Sequence, residues 1–219
     1  MTVPAPISST DNSLGLAIHT ATGQLGLALQ RGKNPVAQQT WSLDRELLNQ
    51  LHNCLGDFLP SPQWSELDYL VVAQGPGSFT SIRIGMVTAR TLAQQLQIPL
   101  FTISTLACFA QSLLKTCDDG ELLAVTMPAT RGYLYGALYQ MVGEKLITLD
   151  GDRLWLPDDW QQLMTDKQVE RIHGTPPQLG VTAPQLLTLA WQHWLLGDRP
   201  HWSAAQPFYG MSPTDPVTN

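Results

Sequence analysis

The stretch whose residue types could most directly do chemistry is Gln74-Gly75-Pro76-Gly77-Ser78-Phe79-Thr80. It follows an apolar run and precedes a helical pattern, so its glycines can take positive φ and free helix N–H groups could face an anion. Gly75, Gly77 and Ser78 are thus weak phosphate-loop candidates. The same residues suit a tight strand-to-helix turn with Ser78 or Thr80 as N-cap. That second reading weighs more, because neither a Walker lysine nor a GxGxxG pattern is present. The histidines (His19, His52, His173, His193 and His201) are scattered with no ligand-pair spacing, so no metal site is expected. Cys54, Cys108 and Cys117 are odd in number and form no CxxC pair, which argues against a disulfide framework or a zinc site. Ser78 and Ser104 have no histidine nearby in sequence, and each has a bland explanation as a helix cap.

These residues have to be positioned by short, frequently punctuated elements, since the chain carries 16 prolines and 17 glycines in 219 residues. Leu14–Ile18, Leu25–Leu29 and Val36–Trp41 read as an antiparallel meander, with a turn at His19-Thr20-Ala21-Thr22-Gly23-Gln24. Asp44 or Ser42 can cap a helix running to about Leu59, with Leu47, Leu48, Leu51, Leu55, Phe58 and Leu59 as its apolar stripe. Leu67–Ala73 reads as a buried strand, Phe79–Gln97 as a helix, Leu100–Ile103 as a strand, and Thr105–Thr116 as a helix capped by Ser104. Strands are then expected at Leu122–Met127, Tyr133–Tyr139 and Leu146–Leu149, and helices at Pro157–Met164 and Pro184–Leu196. Strand runs mixed with helices imply a layered α/β protein of two lobes, each with a mixed sheet. No internal repeat is legible at the level of residues.

The chain is 43% hydrophobic and 14% charged, with a formal net charge of −6. That balance supports a substantial core and excludes a disordered chain. An acidic protein neutralises few phosphates, so strong direct binding of nucleic acid is not expected. Residues 1–13 hold no Lys or Arg and read as a disordered tail rather than a signal peptide, as do residues 211–219 at the other end. No run approaches the roughly 18 apolar residues of a membrane span. A soluble, cytoplasmic protein with reduced thiols is expected.

Read further, Val71 to Leu106 resembles the signature of the TsaB (YeaZ) family, in which a GPGSFTGxRxG core precedes a helix, a short strand and an ST-L segment. Here Gly75 to Thr80 is followed by Ser81, where the family often has Gly, and then by Ile82-Arg83-Ile84-Gly85. The opening LAIHTATGQLGLAL is similar to the family's LAIDTSTxxxSVAL, and Pro128-Ala129-Thr130-Arg131-Gly132-Tyr133-Leu134-Tyr135 to its DARxxEVY. The resemblance runs from Leu14 to about Tyr209. It implies an actin-like (ASKHA) two-lobed fold: an N-terminal lobe over residues 14–104, with residues 184–210 packing back on it, and a smaller lobe over 105–183. It also implies a non-catalytic scaffold for TsaD, the tRNA N6-threonylcarbamoyladenosine (position 37) transferase, with the ATPase TsaE in a larger complex, a homodimer when the chain is alone, and no cofactor.

One departure from the family bears on chemistry. Its first strand usually ends in Asp, where this chain has His19, and a neutral imidazole does not hold a metal and attacking water as a carboxylate does. The helix after the loop is apolar around most of its circumference, as a helix buried on more than one side is. Intrachain burial and a docking face both account for that. The resemblance favours docking, through the Asp44–Leu59 and Phe79–Gln97 helices, with Leu51, Leu55, Phe58, Ile82, Gly85, Met86, Ala89 and Ala93 as interface positions. Polar substitutions at Ala89 and Ala93 are then expected to abolish pairing without unfolding the chain. The rival readings are an ATP-binding actin-like kinase or ATPase using Gly75, Gly77 and Ser78, and, more remotely, a glycoprotease-like peptidase.

Overall fold

The computed structural model describes residues 12–60 and 63–210; the two tails expected at 1–13 and 211–219 lie, but for residues 12 and 13, outside them. Apolar runs at the start of the chain form β1 (Leu14–His19) and β2 (Gln24–Arg31), joined by the small, polar turn at 20–23. Both strands are buried nearly throughout, because the sheet they enter is covered on both faces. β3 (Asn34–Ser42) completes the antiparallel meander as an exposed edge strand, longer at both ends than expected. β4 (Leu67–Gly75) and β5 (Leu100–Ser104) then add in parallel, giving a five-stranded sheet in the order β3-β2-β1-β4-β5.

The first helix, α1 (Leu47–Phe58), departs from expectation at its start. Neither Ser42 nor Asp44 caps it. A 3-10 turn at Asp44–Glu46 precedes it, and the N–H groups of Leu43 and Asp44 donate to the carbonyl of Gly23, at 3.1 and 2.8 Å. Asp44 is thus tied to the β1–β2 turn rather than to the helix. Leu47, Leu51, Cys54 and Leu55 form the buried stripe, whereas Leu48 is 67% exposed. Leu48 immediately follows Leu47, and successive helical residues do not share a face.

α2 (Phe79–Leu96) begins at Ser78 and packs with α1 on one face of the first sheet, over Leu14, Leu16, Ile18, Leu70 and Val72. α3 (Thr105–Leu113), extended by a 3-10 turn to Thr116, and α5 (Ala183–Leu195) lie on the opposite side. α5 covers Ala17, Ala28, Val71 and Ala73 of the first sheet. Tyr69 stacks there on Trp194, with ring centroids 5.0 Å apart. The C-terminal tryptophans Trp191 and Trp194 are packing residues of this layer.

The second sheet is built from β6 (Leu122–Pro128), β7 (Leu134–Val142), β8 (Lys145–Trp155) and a short strand, β9 (Ile172–Gly174), in the order β8-β7-β6-β9. β9 was not legible in the sequence, and β8 runs well past the expected Leu149. β6–β7 and β7–β8 are antiparallel while β6–β9 is parallel. The second sheet therefore repeats the first: an antiparallel meander whose leading strand takes a parallel neighbour on its other side. α3 packs on one face through Leu106 and Ala110. α4 (Pro157–Asp166) covers the other through Trp160 and Met164, and Gly136 leaves room for the Trp160 ring. Among the described residues no helix is long and apolar enough to cross a membrane.

Candidate functional site

The leading strand of each sheet, β1 and β6, ends in a turn, and the two turns are differently furnished. The first carries His19, which is 0% exposed and pairs across the ladder with Gly26. Gly26 is required there, because a Cβ would lie 1.9 Å from the Gly180 carbonyl oxygen. Neither ring nitrogen of His19 finds a partner in another residue, and burial pulls the imidazole down from its usual 6.5 to about 4. At neutral pH this is an uncharged ring sealed from solvent. It cannot take the part of a carboxylate that orients a cation or a water.

The Gly-rich loop closes over that first turn instead of holding it open. The Ser78 N–H donates to the Ala21 carbonyl at 2.8 Å, and a Cβ on Gly77 would lie 2.2 Å from the same oxygen. Gly85, nearly two turns into α2, sits against Thr20, where a Cβ would meet Oγ1 at 2.1 Å. Ser78 Oγ accepts from the Ser81 N–H at 3.4 Å and lies 2.9 Å from the Ser81 hydroxyl, which makes it the N-cap of α2. Gly75 has φ +110° and borders Phe208. Of the phosphate-loop candidates, Ser78 is engaged with the helix and the turn, Gly77 with the turn, and Gly75 with the C-terminal segment.

Between the lobes an open cleft of about 540 Å³ runs from Gly77–Phe79 and Ile82 to Pro128–Arg131 and Tyr135, with Phe208 and Tyr209 along one side. Ser104 Oγ caps α3 by accepting from the Ala107 N–H at 3.0 Å. Tyr139 donates to Asp152 Oδ1 at 3.3 Å. Burial raises Asp152 to about 6, with the hydroxyls of Ser104 and Tyr139 acting in the opposite sense. Burial also raises Cys108 to about 12; its thiol donates to the Thr182 carbonyl at 3.0 Å, so it is a packing thiol and not a nucleophile. His201 Nδ1 lies 2.7 Å from Ser203 Oγ, but it also accepts the Ser203 N–H, which identifies a local cap. Among the described residues no group of three or more His, Cys, Asp or Glu is placed to hold a metal ion.

The expected docking positions turn out to lie inside the chain. Leu51, Leu55, Ile82, Met86, Ala89 and Ala93 are between 0 and 4% exposed and belong to the cores around the first sheet, and Gly85 is buried under Thr20. Phe58 is half-buried and meets Trp41 edge-on. The narrow flank of Gly85, Ala89 and Ala93 thus admits this chain's own first turn and sheet. Polar groups at Ala89 and Ala93 would disrupt the fold rather than spare it, contrary to expectation. What α1 and α2 leave uncovered is a different set: Leu48 at 67% and Val87 at 63%, with half-buried Ile84 and Leu92. An open groove of about 940 Å³ lies beside them, between the start of α1 and the first turn of α2.

Two lobes built on the same meander-plus-parallel topology, meeting at a cleft with α3 and α5 between them, define an actin-like two-lobed protein. The tRNA N6-adenosine threonylcarbamoyltransferase (TsaD) family model matches residues 46–185. The chain is 34% identical to the tRNA threonylcarbamoyladenosine biosynthesis protein TsaB of Bacillus subtilis (strain 168) over 156 residues, covering 69% of this chain and 66% of that protein, just under two thirds of its length. It is 28% identical to the Escherichia coli (strain K12) TsaB over 181 residues, covering 82% and 72%. Its fold matches YeaZ from Pseudomonas aeruginosa with a TM-score of 0.73 at 21% identity, covering 90% of this chain and 99% of that one. The chain belongs to the threonylcarbamoyltransferase family that this model describes, and the relatives named here that it matches are TsaB proteins.

Proposed function

We propose that this chain acts in tRNA threonylcarbamoyladenosine biosynthesis as a non-catalytic scaffold and activator of a TsaD transferase. The observation that carries the non-catalytic part is His19: where an actin-like enzyme needs an accessible carboxylate, this chain buries a neutral ring under the turn and the Gly-rich loop. The hydroxyls of Ser78 and Ser104 are both engaged as helix caps, which equally disfavours a kinase, ATPase or peptidase built on those residues. With no chemistry of its own, the chain contributes by binding.

The surface that supports pairing is the outer face of α1 and α2, centred on Leu48 and Val87. It replaces the buried positions first expected from the sequence. Two large apolar side chains standing clear of the core on neighbouring helices suit a helical partner face. The same face would take a second copy of the chain when TsaD is absent, with TsaE joining the larger assembly. With a net charge of −6 the chain itself contributes little to holding tRNA.

The test is reconstituted threonylcarbamoyl transfer to unmodified tRNA, using TsaC-type enzyme, TsaD and TsaE from the same organism. Modification is expected to depend on this chain, to survive His19→Leu, and to fall with Leu48→Glu plus Val87→Glu. Full modification without the chain would contradict the scaffold role. Loss of modification in a folded, still-pairing His19→Leu variant would restore a catalytic one.

A further inference from the structure

Residues 206–210 leave the first lobe, where Ala205 is buried beside α2, and cross to the second lobe along the rim of the cleft. On the first lobe the Phe208 N–H donates to the Gln74 carbonyl at 2.8 Å, which anchors the segment to the end of β4. Arg83, one turn into α2, donates from Nε to the Tyr209 hydroxyl at 2.7 Å. The Arg83 guanidinium also lies 3.8 Å from the centroid of Phe79, and the Phe79 and Tyr209 rings are 5.1 Å apart. Arg83 thus stacks on the Phe79 ring of α2 and reaches the hydroxyl of Tyr209 on the crossing segment, so the three side chains form one cluster. On the second lobe, Phe208 meets Tyr135 of β7 edge-on at 6.2 Å, and Gly210 packs so close that a Cβ would lie 2.4 Å from the Tyr135 ring.

We infer that residues 206–210 are a clasp that holds the two lobes at one opening and closes one side of the inter-lobe cleft. A loose tail would need none of these fittings. The segment instead has a backbone bond and an arginine–aromatic cluster on one lobe, and a ring contact with a glycine-dependent close approach on the other. In a two-lobed fold the opening is the soft coordinate, since lobes move about their connections unless something joins them elsewhere. Here the clasp joins them at the cleft mouth, away from the α3 and α5 layer. It also fixes the first turn of α2, because Phe79 and Arg83 are both clasp partners.

The test is the distribution of distances between spin labels at Gln95→Cys on the first lobe and Thr148→Cys on the second, both exposed. Labelling is done in the full chain carrying Cys117→Ser, since Cys54 and Cys108 are buried. The expected result is one narrow distribution in that background, broadened by Tyr209→Ala and, to a smaller degree, by Tyr209→Phe and Arg83→Gln. A distribution already broad in the background, or one that Tyr209→Ala leaves as narrow, would overturn the clasp. If circular dichroism shows that Tyr209→Ala does not fold, Tyr209→Phe and Arg83→Gln are judged by the same criterion. The phenol-to-phenyl change keeps the ring and removes only the arginine's acceptor.

Discussion

Acidification should weaken this fold through His19, by an amount the structure allows to be worked out. Burial lowers the imidazole from 6.5 to about 4 in the folded chain. A lowered folded value means that the unfolded chain binds the proton more readily. The contribution of a neutral His19 is therefore fully present above pH 6.5 and is lost as pH falls towards 4. The full difference corresponds to about 3 kcal/mol, a large part of the total stability of a domain this size. Asp152 acts in the other direction, because its raised folded value of about 6 relieves a penalty as pH falls from 6 towards 3.8. The parent profile alone would therefore understate the effect of His19. The perturbation that isolates it is His19→Leu, which removes the titrating ring and, since neither nitrogen had a partner in another residue, orphans no neighbour. Urea unfolding followed by tryptophan fluorescence at pH 7, 5.5 and 4.5 gives the comparison. The variant should match or exceed the parent at pH 7, and the gap in its favour should widen by about 2–3 kcal/mol at pH 4.5. Parallel pH profiles for the two proteins would refute a buried, neutral His19.

The remaining predictions concern other close-packed or titrating positions. Asp152→Asn should stabilise the chain above pH 6 by about 1–3 kcal/mol and leave it unchanged near pH 4, as read by the same urea titrations. Gly85→Ala should destabilise by about 1–3 kcal/mol, because the added methyl must displace Thr20, and a lower thermal midpoint would show it. Ser78→Ala should cost about 1 kcal/mol as a lost helix cap, without changing any nucleotide affinity measured by calorimetry. Leu48→Glu and Val87→Glu should each shift stability by less than about 0.5 kcal/mol in the isolated chain, since both are exposed.

How much of this could be read beforehand depended on how local the cause was. The stripe Leu47, Leu51 and Leu55 and the caps at Ser78 and Ser104 are short-range features, and the sequence states them directly. The start of α1 departs from its local sequence signals because Asp44 answers to the carbonyl of Gly23, some twenty residues earlier. β9 is three residues long and exists through its pairing with β6, which no local pattern announces. The all-round apolarity of α2 suggests burial on more than one side, but its buried residues share one face and Val87 stands exposed on the other. The covering groups are Thr20 and the sheet, so the residues first assigned to a partner are the chain's own interior. Leu48 could have been found, since it falls off the stripe that Leu47 begins. The duplication of the two sheets is a fact of topology without a counterpart in residue identity.

Pairing through the outer face of α1 and α2 can be measured by size-exclusion chromatography with light scattering. The chain is mixed with TsaD from the same organism, with and without Leu48→Glu plus Val87→Glu. A stable mixed complex is expected for the parent, and separate, folded proteins for the double variant. No complex at micromolar concentration with both proteins folded, or one that forms as well with the double variant, would contradict it.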